Sequence, residues 1–132
     1  MIVVDTGVLV VALADDGADG RRARERLRGQ TLAAPDLIDL EVSSVLRRFL
    51  LGGSLSSVRA EQALADLMDL PLHRASHGPL IPRCWALRQN LTIYDASYVA
   101  LAEELDAVLL TTDARLSRAP RLRCKMEVLQ GA

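Results

Sequence analysis

Residues 1–11 read MIVVDTGVLVV, and the acid at position 5 decides how the rest of the chain is read. Ile2, Val3 and Val4 form a short β-branched run suited to a buried strand. Thr6 to about Ala14 can form a helix, which the Asp15-Asp16-Gly17 turn ends. Asp5 stands at the junction, between two apolar runs. A carboxylate there is costly to keep ionised unless something pairs with it.

Working outward, strands and helices alternate. Ala18–Arg28 reads as an exposed charged helix closed by Gly29, and Thr31–Ala34 as a second strand stopped by Pro35. Asp36 is placed to cap a long helix reaching about Leu51, with Leu37, Leu40, Val45, Leu46 and Phe49 on its inner face. Gly52-Gly53 breaks it. Ser56 or Ser57 starts another helix through about Asp69, making an αα hairpin. Pro71–Arg74 is a candidate third strand. Pro79 and Pro82 suit the first turn of a helix whose stripe is Leu80, Cys84, Leu87 and Leu91. Tyr94–Leu105 follows as a helix with Tyr98, Leu101 and Leu105 among its apolar residues. Ala107–Thr111 is a strand, Ala114–Ala119 a short helix and Met126–Leu129 a last strand. This alternation predicts an α/β fold, a parallel sheet covered on both faces and joined by right-handed crossovers.

Composition narrows the function classes. A chain of 132 residues fits one domain, residues 1–132, and half of those residues are hydrophobic, which excludes intrinsic disorder. The net charge of −1 supplies no global field toward nucleic acid or membrane. All but one of the 16 basic residues are Arg, clustered at 21–28, 47–48 and 115–123. Such clusters are solvated helix faces or local basic patches. Cys84 and Cys124 follow no metal-ligand spacing and read as free thiols in a reducing cytosol. No apolar run reaches membrane-spanning length and no signal peptide precedes the first strand, so a cytoplasmic protein without membrane attachment is expected.

Four acids occupy unusual places. In open parallel sheets, sites form beyond the carboxyl ends of the strands. Asp5 follows the first strand, and Asp113, in LLTTDARL, follows the Ala107–Thr111 strand. If those strands are neighbours, both carboxylates face one crevice, although each could equally cap the helix after it. Glu41, in LIDLEVSSVLRR, has Leu37, Ile38, Ser44 and Val45 as helical neighbours, which sets it beside the apolar stripe; its structural alternative is a pair with Arg48. Asp95, in LTIYDASYVALAEEL, lies in a first turn, where the helix dipole favours an acid. Like charges about 4 Å apart cost on the order of 4 kcal/mol per pair at an effective dielectric near 20. Four converging acids therefore hold protons or hold a cation. An all-oxygen set without His or Cys favours Mg²⁺, or Mn²⁺, over Zn²⁺, and suits phosphoryl chemistry. His73 and His77 are four apart, but Pro71 and Gly78-Pro79 exclude a regular helix through both.

In this order, IVVDTGVLV, LEVSSVLRR, LTIYDASYVALAEEL and LLTTDARL resemble the PIN-domain ribonucleases, particularly the VapC toxins of bacterial toxin–antitoxin pairs. The resemblance runs over nearly the whole chain and is most specific from Leu91 to Leu116. It implies a three-layer α/β/α sandwich with an acidic pocket. In that pocket Asp5 and Asp95 would be direct Mg²⁺ ligands. Glu41 would orient or deprotonate the attacking water, Asp113 would complete the acidic set, and Thr6 and Thr111 would support the carboxylates. Gly7 departs from the pattern, because relatives often carry Ser or Asn there. The resemblance further implies a cognate antitoxin that wraps the αα hairpin, and a homodimer with two pockets along one Arg-lined groove.

The expected activity is therefore a Mg²⁺-dependent endoribonuclease that cleaves RNA and inhibits translation and growth, with Arg clusters holding the RNA backbone. The rival reading is a catalytically weak PIN-like interaction module acting within an antitoxin or repressor complex; Gly7 is its sequence hint.

Overall fold

The computed structural model describes residues 1–130. Five strands alternate with six helices: β1 Ile2–Val4, α1 Thr6–Ala14, α2 Ala18–Leu27, β2 Leu32–Pro35, α3 Ile38–Leu51 and α4 Ser57–Asp69. The chain continues with β3 Leu72–Ala75, α5 Ile81–Ala86, α6 Ile93–Leu105, β4 Val108–Thr111 and β5 Met126–Val128. All strand pairings are parallel and the order is β3-β2-β1-β4-β5. From β1 the chain steps outward to β2 and β3, then returns across the sheet to β4 and β5. The switch point of this α/β fold lies between β1 and β4, where such sheets open a crevice.

Right-handed crossovers put helices made before the reversal on one face and those made at it on the other. Accordingly α1 packs on α2, α3 and α4, while α5 packs on α6 and α6 lies across β1, β2 and β4. Val3, Val4, Leu109 and Leu110 have no solvent exposure between these layers. A strand buried on both faces needs a continuous apolar run rather than alternation, which is what β1 and β4 supply. No helix among the described residues is long and apolar enough to cross a membrane.

The strand and helix boundaries fall within about two residues of those expected for most elements. The facing of α3 does not. Its buried line is Ile38, Val42 and Leu46, whereas Leu40 is 77% exposed and Phe49 is exposed too. At about 100° per residue, Leu40 sits some 160° around the helix from Val42, on the far side from the sheet. Asp36 does not cap α3 either. The helix starts one residue later, with Leu37 at its N-cap and no side-chain cap bond. The N–H of Asp36 donates to Ala75 O at 2.8 Å and that of Leu37 to His77 Nε2 at 3.0 Å, 40 residues away. The expected helix after Pro79 is shorter: a single 3₁₀ turn over Gly78–Leu80 leads into α5, which ends at Ala86. Leu80, Cys84 and Leu87 are nevertheless buried, and Cys84 is a core thiol. Ala114–Ala119 holds only a 3₁₀ turn at Leu116–Arg118.

Candidate active site

Each of the four acids stands at or just beyond the carboxyl edge of the sheet, and in each case the local fold explains why. Asp5 ends β1 and caps α1: its Oδ1 accepts the Val8 N–H at 3.0 Å. The capping role and the crevice role coexist, because Asp5 Oδ2 accepts the hydroxyl of Thr111, at the end of the neighbouring strand β4. The same Thr111 Oγ1 accepts the N–H of Asp113 at 3.0 Å, so one buried hydroxyl orders both acids. Asp113 Oδ1 closes a turn by accepting the Arg115 N–H at 2.9 Å, and it meets Arg115 Nε at 3.3 Å. Asp95 is in the first turn of α6, whose cap is Thr92 accepting the Asp95 N–H at 3.0 Å.

Glu41 lies in the first turn of α3 and pairs with no arginine. Its Oε1 accepts from Thr6 Oγ1 at 3.0 Å and from Tyr98 Oη at 2.6 Å, and those two hydroxyls are 3.1 Å apart. Arg48, the expected structural partner, is exposed farther along the helix. Asp5, Thr6, Gly7, Glu41, Asp95 and Tyr98 line a cleft of about 150 Å³; Asp95 and Asp113 share the adjoining hollow with Arg115. A larger cavity of about 580 Å³ lies at the opposite, amino end of the strands, between α1, α2 and α4, away from the acids.

The electrostatics follow from this crowding. Burial pushes the Asp5 carboxyl above the ordinary range, with Asp95 adding repulsion, against hydrogen bonds from Thr111 and the Val8 and Thr112 backbone. Asp95 is also pushed up, first by burial and then by the charges of Asp113 and Glu41, although part of it stays open to solvent. Asp113 goes the other way. Its desolvation is outweighed by hydrogen bonds and charge from Arg115, and it is held below the usual carboxylate range.

Asp5, Glu41 and Asp95 thus share one cleft, with Asp113 in the hollow beside it, and the four do not form a tight cage. Among the described residues, no three His, Cys, Asp or Glu side chains stand close enough to hold an ion between them. The donor chemistry nevertheless fits a hard divalent cation. The donors are oxygens only, and Asp5 and Asp95 are both pushed above the ordinary carboxylate range, chiefly by burial and further by neighbouring acids. Mg²⁺ characteristically binds through one or two carboxylates and keeps several waters.

Two features of the cleft rest on contacts that the sequence does not reveal. Tyr98, expected as an apolar stripe residue, brings a hydroxyl into the cleft. Gly7 is the other: a Cβ built on it would lie 2.1 Å from Thr112 Oγ1, so Thr112 occupies the space a side chain at position 7 would need.

Residues 2–122 match the PIN domain. The chain belongs to the PIN-domain family. Within that family it resembles the VapC proteins: Ribonuclease VapC1 of Mycobacterium tuberculosis is 44% identical over 129 residues, 97% of each chain. The crystal structure of PAE2754 from Pyrobaculum aerophilum shares the fold at a TM-score of 0.70 and 24% identity, covering 96% of this chain and 83% of that one. VapBC2 from Rickettsia felis, solved bound to a DNA fragment from its promoter, gives a TM-score of 0.68 at 17% identity over 97% and 98% of the two chains. The PIN-type assignment agrees with the expected α/β/α sandwich.

Proposed function

We propose that this PIN-domain protein is the ribonuclease toxin of a type II toxin–antitoxin pair, a metal-dependent endoribonuclease that hydrolyses RNA phosphodiester bonds and so inhibits translation and growth. The observation that carries this reading is the gathering of Asp5, Glu41 and Asp95 from three helix starts into one oxygen-lined cleft. Near-full-length similarity to a protein named Ribonuclease VapC1 supports it.

In this reading Asp5 and Asp95 hold Mg²⁺, with Mn²⁺ as the alternative ion. The bound cation supplies Lewis-acid stabilisation of charge building on the phosphate and lowers the pKa of water. The remaining work falls to the chain. Glu41 orients the attacking water and accepts its proton, and it is suited to this because its charge is held in place by two hydroxyls. Thr111 keeps Asp5 aimed into the cleft while fixing the backbone of Asp113. Asp113 completes the acidic set, with Arg115 beside it and 86% exposed, free to meet a phosphate. The exposed Arg residues of the 115–123 cluster, of which Arg115 lines the hollow beside Asp95 and Asp113, hold the RNA backbone. A cognate antitoxin and a second copy of the chain are the proposed protein partners. A VapBC complex among the proteins that share the fold supports the antitoxin.

The test is cleavage of total RNA by purified protein in Mg²⁺, in EDTA, and by Asp95→Asn in Mg²⁺. Cleavage in the first sample alone is expected; equal cleavage in all three would remove the metal mechanism.

A further inference from the structure

Three oxygens from three different helices meet beside the acid cleft: Thr6 Oγ1 from α1, Glu41 Oε1 from α3 and Tyr98 Oη from α6. Two hydroxyl hydrogens serve the three atoms. A carboxylate oxygen has lone pairs for both donors, whereas a hydrogen placed between Thr6 and Tyr98 would leave one bond to Glu41 unmade. Both hydrogens therefore point at Glu41 Oε1, and the 2.6 Å contact from Tyr98 is the shorter, in the range of charge-assisted hydrogen bonds. No described residue hydrogen-bonds Glu41 Oε2.

We infer that Tyr98 is a positioning residue: its buried phenol locks Glu41 through Oε1, so that Oε2 is the oxygen presented to the attacking water. Tyr98 suits this task better than Thr6. It is 3% exposed, its ring is part of the hydrophobic core, and it stands one turn after Asp95 on the same helix. A shift of α6 therefore carries a metal-holding acid and the Glu41 anchor together. Burial, reinforced by the hydrogen bond to Glu41, pushes the phenol above its ordinary range, in keeping with a donor role.

The catalytic consequence rests on the ribonuclease reading; the hydrogen bond does not. The experiment has two arms. In the first, RNA cleavage in Mg²⁺ is measured for the wild type, Tyr98→Phe, Glu41→Gln and the double variant. Tyr98→Phe removes one oxygen and keeps the ring. It is expected to lower kcat about tenfold to a hundredfold with KM nearly unchanged, the range for one hydrogen bond to a charged group. In the Glu41→Gln background it should cost nothing further, because the two residues act as one unit. A wild-type rate for Tyr98→Phe, or losses that simply multiply, would overturn the inference.

The second arm needs no catalysis. Proton NMR of the free protein should show a downfield, slowly exchanging hydroxyl resonance that vanishes in Tyr98→Phe and moves in Glu41→Gln. If the wild type cuts no RNA, the ribonuclease reading fails, and this arm alone decides the hydrogen bond. Should Tyr98→Phe not fold, the Glu41→Gln spectrum serves by itself. A moved resonance supports the bond, and an unmoved one overturns it.

Discussion

Thr111 and Asp5 are joined across the two central strands: the buried hydroxyl at the end of β4 donates to the carboxylate that ends β1, while accepting the N–H of Asp113. One side chain thus satisfies a charge and a backbone donor. Thr111→Val keeps the shape and removes both bonds, so stability in urea should fall by about 1–3 kcal/mol. Thr111→Ser should recover most of it. An unchanged unfolding midpoint for the Val variant would contradict the arrangement.

The raised acids make a pH prediction. Asp5 and Asp95 titrate higher in the fold than in the unfolded chain, chiefly through burial. The folded state then binds more protons between the two values, so their contribution to stability declines as pH rises through that window and stays low at neutrality. Asp95→Asn removes one of the repelling charges and should raise the Tm of the metal-free protein at pH 7 by a few degrees. The gain should shrink toward pH 4. A lower Tm for Asp95→Asn at pH 7 would rule out the repulsion.

Cation binding should reverse the same penalty. Millimolar Mg²⁺ or Mn²⁺ is expected to raise the Tm of the wild type in a concentration-dependent way, because a ligand that binds only the folded state stabilises it. Asp5→Asn and Asp95→Asn should each abolish the shift. Asp5→Ala is a poorer probe, since it also deletes the α1 cap, at a cost of about 1 kcal/mol. Equal shifts in wild type and variants would place the ion elsewhere.

Gly7 and Thr112 should behave as a pair. Gly7→Ser forces its Cβ onto Thr112 Oγ1, with Thr112 Cβ and Cγ2 at 3.3 and 3.4 Å also in the way. Overpacking of this kind costs roughly 1–3 kcal/mol. Adding Thr112→Ala removes Oγ1 and Cγ2, leaving only Cβ at 3.3 Å, and should restore most of the loss, a coupling that denaturation of the two singles and the double would measure. Strict additivity would show that the two sites do not compete for space.

Local patterns sufficed for much of this molecule. The apolar β-branched runs of β1 and β4, the glycine breaks at 52–53 and the serines before α4 announced their elements because period and punctuation act over a few residues. Parallel strands buried on both faces have a composition of their own, and two acids placed directly after such strands point to a shared crevice once the strands are neighbours. Asp5 and Asp113 were legible as candidates on those grounds, Glu41 from its place beside an apolar stripe, and Asp95 chiefly from the resemblance of its segment.

What the sequence could not decide depended on partners distant along the chain. Leu40 and Ile38 are similar hydrophobes two positions apart, and only packing against the sheet buried one and exposed the other. Asp36 resembles a helix cap, yet α3 begins one residue later with Leu37 at its N-cap, whose N–H donates to the distant His77. Tyr98 and Glu41 are 57 residues apart, and Thr6 and Tyr98 are 92 apart. A phenol on an apolar stripe reads as core from its neighbours, and it is core. Its single oxygen gains a role only because three helix starts are brought over one sheet edge, where unmade hydrogen bonds are expensive and charges must be matched.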